Sequence, residues 1–462
     1  MSGNEPTSGS ISPGVIRASS TGPKASPSRT LESGFSALGI SISISISIDR
    51  LMARIDALHE ISPLEGGGNS RLAFTDHDKA GRDLVVAWMR DLGLEVTIDG
   101  IGNVVGVQPG FDVSPVMMGS HIDTVATGGR FDGNLGVLSG LEVIEAVIES
   151  GEQLTRPLAV GFFSNEEGAR FAPDMMGSLV YVGGMGVEEA LDTIGIDGKR
   201  VGDELEQIGY LGGAPVPGTS PHAFVELHVE QGPVLEEEGV TIGAVESVQG
   251  ISWTEIVIEG QSNHAGTTPI RLRHDPAYVA GEISVFVRNL ALRFGGDQVA
   301  TVGRIDLHPN LVNVVPATAT LTVDLRNTDE GFLAQAEAEL RARLVELANT
   351  EGVAISANVL ARFEPVVFDP RIVDLVERAA KRNGHSVKRM PSGAGHDAQM
   401  FARVCPTAMV FVPSVEGVSH NPAEFTSVDD LAAGAQVLLD TVLSLAGGYP
   451  SQEAHASEPP HE

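Results

Sequence analysis

Short apolar runs alternate with helical stretches through the first half of this 462-residue chain. Strand-like runs occupy 115–120, 157–164 and 223–230, and helical spacing covers about 135–149 between the first two. These runs are continuously apolar, which is typical of strands buried on both faces of a parallel sheet with helices on each side. We therefore predict an α/β fold with a doubly covered, mostly parallel sheet.

Helix signals mark both ends of the predicted folded region. Apolar residues recur at helical spacing from residue 48, so we place the start of the fold there. A second helix is predicted after Thr75, where Asp78 completes a capping box, and the last helix begins in the same way at Ser427 with Asp430. The helix-then-strand alternation resumes after residue 370, which assigns the C-terminal part to the same sheet domain.

The pattern changes near residue 250. Residues 317–326 alternate strictly between apolar and polar side chains, which indicates a sheet with one solvated face. Helical stretches at about 276–293 and 331–349 accompany this strand. We predict a small α+β unit inserted into the larger domain. The predicted boundaries are 48–249 and 366–448 for the larger domain and 250–365 for the insertion.

Both ends of the chain are predicted to be disordered, over residues 1–47 and 449–462, because they are rich in small and polar residues. The stretch ISISISISI at 40–48 alternates with strand period. It has no obvious pairing partner, so we interpret it as a low-complexity lead-in and not as a core strand. The beginning of the chain lacks the basic start and apolar block of a signal peptide.

The formal net charge of −31 limits the possible partners. It argues against nucleic acid and against an anionic membrane surface, because both require an excess of Lys and Arg. No apolar run approaches the roughly 18 residues that span a bilayer. Cys405 is the only cysteine, which excludes an intramolecular disulfide and a cysteine zinc cluster and favours the cytoplasm. A small anionic substrate would need a local cationic clamp.

Imidazole and carboxylate side chains follow several of the predicted strands, where ligands bind in open α/β sheets. They are His121, Asp123, Asp132, Glu166, Glu167, His228 and His420. This set contains no cysteine and is typical of a hydrolytic site with a divalent metal ion. The adjacent Glu166 and Glu167 suit such a site, because one carboxylate would hold an ion while the other takes a proton from water.

Each of these side chains also has a purely structural explanation. Glu166 and Glu167 could form a solvated strand end, and His228 could be a buried neutral histidine in an apolar strand. The other histidines and aspartates could belong to turns or to hydrogen bonds in the core. Their joint occurrence after successive strands favours the metal site.

Longer motifs extend from about residue 70 to 426. They are RLAFTDHDKAGRDLV, GSHIDTVATGGRFDGNLGVLSGLEV, SNEEGARF, ELHVEQGPVLE, GQSNHAGTTP, NVVP, DLRN, SGAGHDAQMF and SHNPAEFT. In these motifs the chain resembles the hydantoinase/carbamoylase group of the M20 dinuclear metallohydrolases. That group includes N-carbamoyl-L-amino-acid hydrolases and allantoate amidohydrolases.

The resemblance implies two divalent metal ions per subunit, either Zn²⁺ or Mn²⁺, Co²⁺ or Ni²⁺. The implied ligands are His121 and His228 for one ion, Glu167 and His420 for the other, and Asp132 for both. Asp123 would orient His121 through its ring N–H. Glu166 would act as the general base and then pass its proton to the leaving nitrogen.

The resemblance also implies that the insertion is a ferredoxin-like lid and dimerisation domain, and that lid residues complete the site, partly from the partner subunit of a homodimer. His264 would stabilise the developing oxyanion. The implied substrate-binding residues are Gln231, Asn313, Arg326, Gly395 and His396. Arg326 additionally lies on the polar face of the alternating strand, and a guanidinium suits bidentate carboxylate binding. The alternative explanation for Arg326 is an exposed salt bridge with Asp324 or another acid.

We predict an amidohydrolase that cleaves the ureido C–N bond of N-carbamoyl-L-amino acids to give the amino acid, CO₂ and ammonia. Allantoate is the nearest alternative substrate. An M20 aminoacylase or peptidase is a further alternative, which His228 disfavours because many of the peptidases carry a carboxylate there. A metal-binding dimer without turnover would need neither a free Glu166 nor Arg326.

Overall fold

The structure, a computed structural model, describes residues 44–447. The helices are α1 (Ile48–His59), α2 (Asp76–Asp91), α3 (Asn134–Ser150), α4 (Met176–Tyr181), α5 (Val187–Leu191), α6 (Val201–Ile208), α7 (Val234–Glu238), α8 (Pro276–Phe294), α9 (Glu330–Glu351), α10 (Pro370–Arg382), α11 (Asp397–Phe401) and α12 (Val428–Ala446). No helix in this range is long and apolar enough to cross a membrane.

The strands form two larger sheets and a short ribbon. They are β1 (Glu95–Ile98), β2 (Val104–Val107), β3 (Val116–Ser120), β4 (Leu158–Phe162), β5 (Ala223–Val229), β6 (Ile242–Val248), β7 (Gly250–Glu259), β8 (Asn263–His264), β9 (Val299–His308), β10 (Val314–Val315), β11 (Thr318–Asn327), β12 (Ala354–Phe363), β13 (Val366–Val367), β14 (Val387–Ser392) and β15 (Thr407–Val412).

The larger sheet has the order β1-β2-β4-β3-β5-β15-β6-β13, with β14 also paired to β6. Its centre, β4-β3-β5-β15, is parallel, whereas β1, β2 and β13 pair antiparallel at the edges. All residues of β3, β4, β5 and β15 are buried, as expected for strands covered on both faces. The prediction of a mixed α/β fold with a mostly parallel central sheet is confirmed.

The predicted helix starts are confirmed. The Thr75 hydroxyl accepts a hydrogen bond from the Asp78 N–H at 3.3 Å before α2, and the Asp78 carboxylate accepts one from the Phe74 N–H at 2.7 Å. The Ser427 hydroxyl accepts from the Asp430 N–H at 3.1 Å before α12. These side chains satisfy backbone donors that the first helical turn leaves free.

The second sheet, β12-β7-β11-β9, is antiparallel throughout. Its strands begin at Gly250 and end at Phe363, within the segment that we predict to be inserted. Alternate residues of β11 are buried, which confirms the predicted alternation. These residues form a hydrophobic core with α8 and α9 that is separate from the core of the larger sheet. The connections to the larger sheet, at β6–β7 and β12–β13, run side by side, since Val248 pairs with Val366 and Ile251 with Phe363.

The chain is ordered before α1. Ile44 is buried in the main core, its carbonyl accepts a hydrogen bond from the Gln436 side-chain amide at 3.1 Å, and the Ile46 N–H donates to that amide at 3.2 Å. The predicted disorder of residues 1–47 is therefore wrong for 44–47, because α12 supplies hydrogen-bond partners for this backbone. Residues 44–47 form no strand. The predictions for 1–43 and 449–462 lie outside the described residues.

Candidate active site

Most of the predicted site residues meet at the carboxyl ends of the central parallel strands. His121 directly follows β3, the Glu166–Glu167 pair follows β4, and His228 lies near the end of β5. Parallel strands end at one edge of the sheet, so these side chains converge. They line a cavity of about 110 Å³ with further residues. The lining residues are His121, Asp132, Glu166, Glu167, Asp174, His228, Gln231, Ala394, Gly395, His396 and His420.

Asp132 connects two groups of side chains that could each hold a metal ion. Its Oδ1 lies 3.2 Å from His228 Nε2 and 3.5 Å from His121 Nε2. Its Oδ2 lies 3.5 Å from His420 Nε2, which in turn lies 3.4 Å from Glu167 Oε2. Within each group the candidate ligand atoms are no more than 4.8 Å apart. The five side chains are thus divided in the way that the resemblance implies.

Glu166 belongs to neither group. Its Oε2 lies 3.4 Å from His121 Nε2, and its side chain is buried. The backbone bends at Asn165, where φ is 55°, and this bend lets two successive carboxylates face one cavity. The Asp123 carboxylate holds the bend by accepting hydrogen bonds from the N–H groups of Glu166 at 3.3 Å and Glu167 at 3.4 Å.

Backbone carbonyls orient the two buried histidines. The Nδ1 of His121 lies 2.9 Å from the carbonyl oxygen of Asp123, and the Nδ1 of His228 lies 2.9 Å from that of Val229. Both rings therefore present Nε2 to Asp132. The predicted contact between Asp123 and His121 is made by the backbone carbonyl of Asp123. The Asp123 carboxylate instead accepts hydrogen bonds from the backbone bend after β4.

Gly133 allows the backbone to pass directly against His121. Its φ is 66°, and a Cβ atom at this position would lie only 2.4 Å from His121 Cε1. Gly133 stands between Asp132 and the first residue of α3, so the Asp132 carboxylate and the His121 ring come close only because no side chain intervenes.

The cavity carries an excess of negative charge. Burial raises the pKa of Glu166 well above its ordinary range, and the negative charges of Asp397 and Glu167 raise it further. Burial and the negative charge of Asp132 likewise raise the pKa of Glu167 well above its ordinary range. Burial alone would lower the pKa of His121, but Glu166 and Asp132 raise it well above its usual value. No Lys or Arg is among the described residues that line the cavity. Divalent cations would offset this charge, so the donor set fits them.

Two acidic residues of the site were not predicted. The Glu424 carboxylate accepts hydrogen bonds from the N–H groups of Phe131 at 3.0 Å and Asp132 at 3.2 Å and so fixes the Asp132 loop. Burial and the charge of Asp132 raise the pKa of Glu424 to about 7. Glu424 lies in the motif SHNPAEFT, and its place in this motif was the only sequence feature that could have identified it as a site residue. Asp174 lines the cavity from an irregular loop after β4 and gave no periodic signal.

Three of the predicted substrate residues, Gln231, Gly395 and His396, line the cavity. The Gln231 amide nitrogen donates to Asp132 Oδ2 at 2.9 Å, and its amide oxygen is buried without a hydrogen-bond partner. The Nε2 of His396 lies 2.8 Å from the Ser392 hydroxyl. The amide oxygen of Gln231 is therefore an unsatisfied acceptor next to Asp132.

His264, Asn313 and Arg326 are not among the described residues that line this cavity. His264 is exposed on the β8–β10 ribbon, where the N–H of the next residue donates to the Asn313 carbonyl at 2.9 Å. Arg326 forms the alternative salt bridge with Asp324 at 2.9 Å, and its Nη1 donates to the Gly393 carbonyl at 2.6 Å. Arg326 thus links the second sheet to the loop that carries Gly395 and His396.

Comparison with known proteins assigns the family. Residues 117–444 match the model of Peptidase family M20/M25/M40. The chain belongs to the M20 family. This M20 protein is 40% identical over 403 residues to the N-carbamoyl-L-amino-acid amidohydrolase of Rhizobium meliloti, covering 87% of this chain and 97% of that protein. It is 35% identical over 384 residues to the allantoate amidohydrolase of Escherichia coli K12, covering 82% and 93%.

Solved structures agree with this assignment. The M20 protein superimposes with a TM-score of 0.85 on the crystal structure of an amidase of the hydantoinase/carbamoylase family from Burkholderia multivorans. The two chains are 44% identical, and the match covers 87% of this chain and 99% of that one. The predicted family and the predicted hydrolase activity on amide C–N bonds are confirmed.

Proposed function

We propose that this M20 enzyme hydrolyses the ureido C–N bond of N-carbamoyl-L-amino acids to give the amino acid, CO₂ and ammonia. The observation that carries the proposal is the arrangement around Asp132: two ligand groups meet at this carboxylate, and Glu166 stands beside them without belonging to either. The name of the Rhizobium meliloti relative supports the substrate class.

Two divalent ions would occupy the site. His121, His228 and Asp132 would hold one, and Asp132, Glu167 and His420 would hold the other. When bound, the ions would supply Lewis acidity that polarises the ureido carbonyl and lowers the pKa of water. Imidazole and carboxylate ligands accept Zn²⁺, Mn²⁺, Co²⁺ or Ni²⁺ according to supply.

The side chains of the enzyme perform the proton transfers. Glu166 takes a proton from the attacking water and delivers it to the leaving nitrogen, since its buried carboxylate lies beside the ligand groups, 3.4 Å from His121 Nε2. The Asp123 carboxylate keeps the bend in place through the N–H of Glu166. The free amide oxygen of Gln231 accepts an N–H of the ureido group.

The substitution Glu166→Gln tests this mechanism. It keeps the shape of the side chain and removes the proton acceptor, so we expect kcat for ammonia release to fall by about 100-fold or more while the metal content stays unchanged. Ammonia release and elemental analysis of the purified protein measure the two quantities. Glu188→Gln, at an exposed position in the first turn of α5, is the matched control and should retain wild-type kcat. Full turnover in Glu166→Gln would refute the assignment of the base.

Allantoate is the second candidate substrate, because it also carries a ureido group beside a carboxylate and a relative in Escherichia coli K12 is named for it. A panel of N-carbamoyl amino acids, allantoate and dipeptides, each assayed with several divalent ions, separates the two candidates and also tests the peptidase alternative. Ammonia release from a ureido substrate, or free amino acids from a dipeptide, excludes a metal-binding dimer without turnover.

The proposal includes a homodimer in the cytoplasm, with residues 250–365 as the lid. His264 and Asn313 lie outside the cavity of their own subunit, on a ribbon whose neighbouring residues Leu311 and Val312 are exposed. A partner subunit would cover these apolar side chains and receive His264 and Asn313 in its own site. The lone Cys405 is consistent with a reducing compartment.

A further inference from the structure

We infer that the side chain of the substrate lies in a second cavity beside the metal cavity, and that this second cavity selects large apolar side chains. It has a volume of about 710 Å³ and shares Gln231 and Ala394 with the lining of the metal cavity. We call it the side-chain cavity. The inference rests on the proposed function and narrows its substrate class.

The connectivity of the substrate places its side chain there. Under the proposed function the ureido group would reach the ligand groups, and the carboxylate would pair with Arg326 in place of Asp324. The Nη1 of Arg326 donates to the Gly393 carbonyl at 2.6 Å. Both groups are attached to a single Cα atom, so the side chain begins between them. Gln231 and Ala394 line both cavities and Gly393 contacts Arg326, so the side-chain cavity, which all three line, adjoins both anchoring sites.

Apolar side chains from both sheets form part of the walls of the side-chain cavity. Val234 at the start of α7, Met390 on β14 and Phe411 on β15 belong to the larger domain, and Val299 at the start of β9 belongs to the second sheet. The Phe411 ring packs edge-on against His396, with the ring centroids 5.6 Å apart. Because His396 lines the metal cavity, the apolar wall begins next to the catalytic centre.

The charged residues in these walls already have partners. The Glu230 carboxylate accepts hydrogen bonds at 2.8 Å from two backbone N–H groups at the start of α7. Lys388 is paired with Glu238, and Arg389 with Glu377. Both cations in the described lining thus already form ion pairs with acids.

The remaining acids in the lining, Glu246 and Asp297, are exposed to solvent, and Asp297 accepts a hydrogen bond from the Thr328 hydroxyl at 2.7 Å. They would repel an acidic substrate side chain. A second ureido group, as in allantoate, would lose hydrogen bonds to water where it contacts Val299, Met390 or Phe411. An apolar side chain gains by leaving water.

The wild-type enzyme should accordingly prefer N-carbamoyl-L-phenylalanine or N-carbamoyl-L-methionine. We expect kcat/KM for these substrates to exceed that for N-carbamoylglycine by about tenfold or more, as expected for burying several methylene equivalents. N-carbamoyl-L-aspartate and allantoate should react more slowly than either. A preference for glycine, aspartate or allantoate would overturn the inference.

Two substitutions that fill the cavity from opposite walls test its location. Val234→Phe and Val299→Phe should each lower kcat/KM for N-carbamoyl-L-phenylalanine about tenfold more than kcat/KM for N-carbamoylglycine, because only the larger side chain needs the space. Val113→Phe, in a different cavity beside β1 and β2, is the matched control and should leave this ratio unchanged.

The outcomes separate the inference from the proposed function. If both cavity variants fold and the ratio stays at the wild-type value, the side chain lies elsewhere and the inference is wrong. If Val234→Phe does not fold, Val299→Phe decides, since Val299 lies on an exposed part of β9. If the wild-type enzyme releases ammonia from no N-carbamoyl amino acid, the proposed function itself fails.

Discussion

At the scale of single residues, Glu166 and Glu167 show how one bend gives adjacent side chains different roles. Asn165 adopts a positive φ, and the Asp123 carboxylate holds the following N–H groups. The pair itself could be recognised in the sequence as a candidate site. The bend could not, because the residue that holds it, Asp123, is 43 positions away from Glu166 and leaves no local pattern.

Cys405 gives a pH-dependent prediction at the same scale. Burial raises the pKa of its thiol to about 11, against the opposing effect of a contact with Thr407. The group reacts as the thiolate, which forms only as the pH rises through the raised pKa. We expect alkylation by iodoacetamide at pH 8 to be about 100-fold slower in the folded protein than in urea, as followed by mass spectrometry.

The rate in the folded protein should increase about tenfold for each pH unit up to about 11. The protein unfolded in urea provides the control, because its thiol has an ordinary pKa. Equal rates in the two states at pH 8 would show that the surroundings of Cys405 do not suppress ionisation.

At the scale of secondary structure, the helices and strands with a local signal were predicted. The caps at Thr75 and Ser427 and the alternation in β11 are examples. The strand order was not predicted, because strands that pair can lie far apart in the chain. For example, β15 lies between β5 and β6 in the sheet. Residues 44–47 were missed for the same reason: their hydrogen-bond partner is Gln436, nearly 400 positions away.

The two ends of α3 provide a matched pair of substitutions. Gly133 and Gly151 both have positive φ, at 66° and 70°, but only the first would place a Cβ atom against His121, while the second has nothing within 4 Å. Gly151→Ala should reduce the free energy of unfolding by about 1 kcal/mol through the backbone alone. Gly133→Ala should cost at least about 2 kcal/mol and also lower metal content and kcat/KM.

Urea unfolding of both variants and elemental analysis after purification test this contrast. Gly151→Ala controls for the backbone penalty and should retain its metal. If Gly133→Ala loses no more stability and no more metal than Gly151→Ala, the close approach of the backbone to the His121 ring is unimportant.

At the scale of the whole molecule, the predicted metal ligands line one cavity, whereas His264 and Asn313 are not among the described residues that line it. The ligands follow parallel strands, whose ends must share an edge, so local motifs were sufficient to bring them together. The position of the β8–β10 ribbon relative to a partner depends on association between subunits, which no local pattern in one chain records.

Subunit mixing tests the proposed homodimer. Glu166→Gln lacks the base but supplies His264, and His264→Ala lacks His264 but keeps the base. If each site uses His264 of the partner, random mixing of these inactive variants should restore about one quarter of wild-type kcat, since half of the dimers are mixed and each has one intact site. Ammonia release before and after mixing measures this.

Each variant mixed only with itself is the control and should stay inactive. A mixture as inactive as the separate variants, under conditions in which exchange of tagged subunits is demonstrated by co-purification, would mean that His264 acts within its own subunit or not at all.

The shared carboxylate of Asp132 has a thermodynamic consequence. One of its oxygens faces His121 and His228 and the other faces His420, so a single negative charge serves both positions. A cation at one position uses part of the attraction available to a cation at the other. The dissociation constants for the first and the second cation should therefore differ. By reciprocity, any ligand that increases cation affinity at the weaker position must itself bind better when a cation fills that position.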